Sequence, residues 1–276
     1  MNALKSRIVF AALVVSCLLW SGCGGGASAS APLGRLTSGN WSITGTSTVN
    51  QGQKLLMAGT LVQSGDSVSG TMCILSDCFG ASSNSMALSG GFLWGNNWGD
   101  NLTLTSQAMN GEVITLRLNG TGSSFSGTYT VTGCSPSCDD QGTVTATPIP
   151  PITGTWSGFL QNPDGSNSPV SITANLTQGA FSAAGYSPLG GTVTEETGSP
   201  LLNDAPTDFP NATWSISTSG ANVSAVKGNQ VAIFTDSTVS LVVEIVDPAT
   251  AGEMMGLYVT NYPINQIRSL TLVKVQ

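Results

Sequence analysis

No histidine occurs anywhere in the 276 residues. That absence removes Ser-His-Asp triads, Cys-His dyads and imidazole-ligated metals, because each needs an imidazole to take a proton or hold an ion. Charge is nearly as scarce. Only 8% of residues are Asp, Glu, Lys or Arg, against roughly 25% in ordinary soluble domains. Lys and Arg total 8 against 15 acidic residues, so the chain lacks the basic face that nucleic acid demands. Straight-chain helix formers are correspondingly few, while β-branched Thr, Val and Ile abound. Long apolar runs are missing apart from Ile8–Leu19, whose 12 residues fall short of the roughly 20 that cross a bilayer as a helix. What remains is a chain with 34 glycines and 40% hydrophobic residues. The hydrophobic residues alternate with Ser and Thr, which is enough to bury a core and sets the chain apart from disordered sequences. An all-β protein is predicted.

The N-terminus carries an address. Lys5 and Arg7 precede the apolar run, and Ser21-Gly22 supplies a small-residue site directly before Cys23. This pattern predicts a cleaved secretory signal peptide over residues 1–22. Removing Lys5 and Arg7 leaves six cationic side chains against 15 acidic ones, a net charge of −9. That balance also opposes electrostatic adhesion to anionic lipid. A cysteine placed directly after such a site resembles the lipobox of bacterial lipoproteins. The resemblance implies acylation of Cys23, membrane attachment through that lipid and residence in the bacterial cell envelope. Gly24 after the cysteine, rather than Asp, resembles lipoproteins of the outer membrane. Trp20 stands where the lipobox has an aliphatic residue. Val14-Val15-Ser16-Cys17 fits the letters better but leaves only Ile8–Leu13 as a core, so Cys17 is the alternative acylation site. Gly24-Gly25-Gly26-Ala27-Ser28-Ala29-Ser30 has the flexible composition of a tether, and residues 23–36 are read as linker.

Four further cysteines, Cys73, Cys78, Cys134 and Cys138, form an even set in an exported chain. They are expected as disulfides, with local pairing within Cys73/Cys78 and Cys134/Cys138 favoured over cross-pairing. Zinc held by the same thiolates is the weaker reading. No metal and no cofactor is expected.

Two segments open alike: Ser38-Gly39-Asn40-Trp41-Ser42 and Thr153-Gly154-Thr155-Trp156-Ser157. Between them Pro148, Pro150 and Pro151 stiffen the backbone and deny ladder hydrogen bonds. The expected organisation is a first β-domain at 37–147, a Pro-rich linker at 148–152 and a second β-domain at 153–276. Within the first, Leu61–Met72 and Leu118–Tyr129 share a Gly-containing turn and a Ser-Gly-Thr exit, reading as β-hairpins. Further strands are expected at Met86–Ser89, Asn101–Ser106, Glu112–Leu118 and Gln141–Thr147. The second domain offers Trp156–Gln161, Val170–Thr177, Phe181–Tyr186, Gly191–Glu195, Thr213–Thr218 and Val223–Lys227. It continues with Gln230–Thr235, Val239–Val246, Gly256–Thr260 and Gln266–Val275. Alternation such as Leu102-Thr103-Leu104-Thr105 marks antiparallel sheet with one wet and one buried face. Short strands separated by turns predict two tandem antiparallel meander β-barrels, or alternatively β-sandwiches.

The Gly-x-Trp at the start of each first strand, followed by short hairpins, resembles the calycin group of lipocalins and avidins. It is also similar to uncharacterised bacterial lipoproteins that carry such domains in tandem. The resemblance implies eight-stranded barrels with Trp41 and Trp156 plugging one end, and Arg268 from the last strand covering Trp156. No ligand residue of those families maps onto this chain.

The densest functional signal is Gly91–Asp100, where Phe92, Trp94 and Trp98 sit beside Asn96, Asn97 and Asp100. Aromatic faces next to amide and carboxylate groups suit a sugar or an apolar small ligand. The same residues also read as structure, with Phe92 and Trp94 facing a core and Gly95-Asn96-Asn97 as a turn. The acidic pairs Asp139-Asp140 and Glu195-Glu196 could run glycoside hydrolysis only with partners across a cleft. Neighbours on a strand face opposite ways, so they are read as solvated charges. No Ca²⁺ loop pattern appears, and the sequons at Asn101, Asn119 and Asn211 follow from Ser/Thr richness. The expectation is a non-catalytic exported lipoprotein that binds a small apolar or glycan ligand or a partner surface. A purely structural or adhesive lipoprotein is the alternative, and a carboxylate-dependent glycosidase the remote one.

Overall fold

The computed structural model describes residues 36–50, 52–74, 85–93, 100–109, 111–133, 139–161, 170–196, 213–235, 239–260 and 266–275. Period-two alternation becomes strand throughout. The first eight strands are β1 Gly39–Ser47, β2 Lys54–Ser64, β3 Ser67–Ile74, β4 Ser85–Leu93, β5 Asp100–Ser106, β6 Val113–Thr121, β7 Ser124–Thr132 and β8 Asp140–Pro148. Each pairs with the next, and β1 pairs antiparallel with β8 from Trp41↔Pro148 to Ser47↔Gly142. The result is a closed barrel, which removes every sheet edge.

The second set is β9 Gly154–Gln161, β10 Val170–Gln178, β11 Ser187–Glu196, β12 Thr213–Ser215, β13 Ala225–Lys227, β14 Gln230–Phe234, β15 Val239–Ile245, β16 Glu253–Thr260 and β17 Gln266–Lys274. β9 pairs with both β10 and β17, and β10 pairs with β11. Eight strands therefore close a second ring, and the three-residue β12 hangs on β11 outside it. Two eight-stranded antiparallel barrels in tandem fit a calycin-like architecture, and the sandwich alternative falls because both sheets close on themselves.

Turn chemistry explains the hairpins. Gly65, Gly122 and Gly228 each open a two-residue loop with φ of 61°, 59° and 62°, and the following Asp66, Ser123 and Asn229 are not at positive φ. That is the type II′ arrangement, whose twist matches the flanking strands and whose first position favours glycine. One expected strand is corrected: Phe181–Tyr186 is not a strand. Ser182 bonds Tyr186 O through both its amide and its hydroxyl, and Gly185 N returns to Ser182 O at 3.0 Å. These local bonds satisfy the backbone as a turn, and the strand begins at Ser187.

Among the described residues both interiors are packed with side chains. Trp41, Leu61, Leu104, Leu116 and Phe125 are at 0% exposure in the first barrel, as are Trp156, Ile172, Val193, Leu241 and Leu272 in the second. A residue at zero exposure has no water-sized space beside it. The two Trp plugs are anchored alike. Trp41 Nε1 donates to Thr37 O at 2.9 Å, and Trp156 Nε1 donates to Ile152 O at 2.8 Å, each four residues upstream. Lys274, rather than Arg268, lies over the Trp156 ring, at 5.8 Å. The register explains the correction: Lys274 is the Cα partner of Trp156, while Ser269, next to Arg268, pairs with Gln161. Arg268 thus sits at the far end of the barrel.

Candidate functional site

Of the residues expected to bind a ligand, Phe92 is turned inward. It is 7% exposed, its ring lies 6.2 Å from that of Phe125, and it cannot stack on an external sugar. Asp100 opens β5, paired with Gly120. Trp94, Asn96, Asn97 and Trp98 lie outside the described residues, as do Cys17, Cys23, Cys78, Cys134 and Cys138.

The acidic pairs split, contrary to their reading as solvated charges. Asp139 is exposed, but Asp140 accepts Ser47 Oγ at 2.5 Å and Tyr129 Oη at 2.6 Å. Burial opposes the Asp140 charge, yet the Ser47 and Tyr129 hydroxyls and the Gln141 backbone outweigh it and hold its carboxyl below the ordinary value. Tyr129 is pushed up to about 12, first by burial and then by the adjoining carboxylate. Glu195 is 5% exposed inside the second barrel. It accepts Tyr258 Oη at 2.9 Å and stands 3.6 Å from Arg268 Nη1, itself 5% exposed. A carboxylate taken from water requires such partners. Among the described residues no group of three or more acidic or thiol side chains could hold a metal.

A different site appears where the barrels meet. On β1 and β2 the inward residues are Trp41, Ile43, Met57 and Leu61, so Asn40, Ser42, Ala58 and Thr60 point outward. They are nevertheless 4–7% exposed, because the second barrel covers them. Ala58 packs into the second barrel's core cluster. The tip of the β13–β14 hairpin presses on β2 so closely that a Cβ on Gly228 would lie 2.7 Å from Gly59 N. Asn40 latches it: Asn40 Oδ1 accepts Gly228 N at 2.8 Å, while Asn40 Nδ2 donates to Ser187 Oγ at 3.4 Å.

Beside this contact a cleft of about 300 Å³ opens between Ser42, Thr44 and Leu56 of the first barrel and Asn229, Glu244 and Val246 of the second. Leu56 and Val246 are half-exposed at 59% and 49%. Inward Leu241, Val243 and Ile245 leave Glu244 on the outer face of β15, aimed at the first barrel. Its carboxylate accepts a short hydrogen bond from Asn229 Nδ2. Asn229 O accepts Ile245 N at 2.7 Å, but Asn229 Oδ1 is buried with no partner among the described residues. Reversing the amide would set its oxygen against the carboxylate, so Glu244 fixes the orientation. Sequence reading missed this site, because a charged residue on the outer face of a strand and an Asn in a hairpin turn are what alternation already expects.

No protein-family model and no curated protein matches the chain. A solved structure from Nostoc punctiforme, a DUF3598-family protein of unknown function, aligns with 86% of this chain and 96% of its own length at 11% identity. The TM-score of 0.25 leaves that likeness without weight for function.

Proposed function

We propose that the chain is an exported, lipid-anchored envelope protein, non-catalytic, whose paired barrels hold a small apolar or glycan ligand in the cleft between them. The observation that carries this reading is the cleft itself. It is about 300 Å³, at the low end of small-molecule sites, while the described barrel interiors are closed. The non-catalytic part draws support from half-buried Asp140 and buried Glu195, each already engaged by hydroxyl or guanidinium partners. Acylation of Cys23, an outer-membrane location and the disulfides Cys73–Cys78 and Cys134–Cys138 complete the proposal. Cys73 is 2% exposed at the end of β3 and borders the cleft.

The structural or adhesive reading is favoured by one feature. Phe159, Met255, Leu257, Ile267 and Val273 are 48–57% exposed on the adjoining strands β9, β16 and β17, an outer face able to meet another surface. A thermal-shift screen of glycans and small apolar compounds separates the readings. Binding abolished by Thr44→Trp, which fills the cleft from an exposed position, places the ligand between the barrels. Binding lost instead in Trp94→Ala or Trp98→Ala moves it to residues 92–100, and a flat screen leaves the adhesive reading. Metabolic labelling with an alkyne fatty acid tests the anchor: Cys23→Ser abolishes incorporation, and Cys17→Ser does not.

A further inference from the structure

We infer that the cleft between the barrels selects a cationic ligand: a primary or secondary ammonium carried on a short apolar body. This rests on the cleft being a binding site. Glu244 is the only charged residue among the described residues that line it. Its hydrogen bond from Asn229 orients the carboxylate without neutralising it. The same amide keeps a second acceptor, Asn229 Oδ1, buried beside it with no partner among the described residues. Buried acceptors without donors are uncommon and costly. A carboxylate and a described lining with no counter-cation call for a group that donates and carries positive charge, which describes an ammonium. The rest of the described wall is uncharged, with Ser42 and Thr44 beside apolar Leu56, Val246 and Pro248, and suits a short aliphatic or aromatic body. About 300 Å³ equals the liquid volume of about ten waters, which limits the body to a small one. An anionic ligand meets repulsion from Glu244 within a wall of low polarity.

The test uses the full chain, purified from membranes, titrated calorimetrically with pentylammonium, pentanol and pentanoate. These probes share one body and differ in the head. The inference expects pentylammonium to bind at least ten-fold tighter than pentanol and pentanoate not to bind. Glu244→Gln, which keeps the acceptor for Asn229, should level ammonium and alcohol. Thr44→Trp should abolish both. Equal binding of ammonium and alcohol, lost in Thr44→Trp, overturns the cationic selectivity and leaves the cleft as an apolar site. An ammonium preference that survives Glu244→Gln overturns the role of that carboxylate. No binding by any probe overturns the inference, and the screen with larger ligands then decides whether the cleft reading falls too.

Discussion

Asn40 of the first barrel accepts the Gly228 amide of the second at 2.8 Å, across 188 positions of sequence. Asn40 is the middle residue of the first Gly-x-Trp, and the corresponding Thr155 in the second is exposed, its hydroxyl donating to Asn175 Oδ1 on β10 of its own barrel. One copy of the motif therefore plugs a barrel and also joins it to its neighbour. Asn40→Ala should cost about 1–3 kcal/mol, the penalty of stranding buried polar groups. Gly228→Ala should cost more, since its φ is +62° and its Cβ would meet Gly59 backbone at 2.7 Å. Scanning calorimetry checks both. The joined barrels should unfold in one transition, and the variants should split it in two. A single transition in both variants would show the latch to be dispensable.

Tyr129 and Asp140 make the first barrel sensitive at both ends of the pH scale. The lowered Asp140 carboxyl contributes stability above its unfolded value and loses it as pH falls through the folded one. Tyr129, raised to about 12, contributes below its unfolded value near 10 and loses it as pH rises toward 12. Urea midpoints measured from about pH 2 to 6 should flatten in Asp140→Asn, and those from about pH 9 to 12 should flatten in Tyr129→Phe.

Arg268 and Glu195 are both buried in the second barrel at 3.6 Å. Arg268→Ala leaves Glu195 with the Tyr258 hydroxyl but without the facing cation, and should destabilise by about 3–5 kcal/mol. The double variant Arg268→Met with Glu195→Gln should recover much of that loss. Guanidinium unfolding of the three proteins decides the point, and a mild effect of Arg268→Ala alone would refute the pairing as a stability determinant.

Trp156 and Lys274 share a ladder position at the plugged end of the second barrel. Trp156→Ala should cost about 3–5 kcal/mol, as for other large buried side chains, and Trp41→Ala should cost the same in the first barrel. Lys274→Ala should cost only about 0.5–1 kcal/mol, the range of an exposed cation–π contact. Thermal melts read by circular dichroism give the ranking.

Gly142→Ala tests the first barrel's seam. A Cβ there would lie 2.0 Å from Thr46 O and 2.7 Å from the Tyr129 ring, so β1 and β8 must part. The expected outcome is a loss of stability above 2 kcal/mol, about the range of overpacked sites. An unchanged melt would mean that the seam is looser than its geometry.

Strands were legible because alternation is a local property. Leu102 and Leu104 face in, Thr103 and Thr105 are half-exposed, and the register follows from a period of two. The Gly-x-Trp plugs and the Gly turns were legible for the same reason, since each is set by residues within four positions. Phe181–Tyr186 failed because Ser182 and Gly185 offered the backbone closer partners than a neighbouring strand. Arg268 was misplaced because sequence cannot say how far a strand slides past its partner before pairing, and that shift put Lys274 opposite Trp156.

From the sequence alone come the all-β character, the two repeated openings, the excess of negative charge and the absence of imidazole chemistry, all of them matters of composition and short spacing. Only the tertiary structure decided that both sheets close, that Glu195 is buried, that Phe92 faces inward and that Asn40, Asn229 and Glu244 meet at one junction. Those facts depend on contacts between residues far apart in the chain, and a covered outer face carries the same alternation as an exposed one.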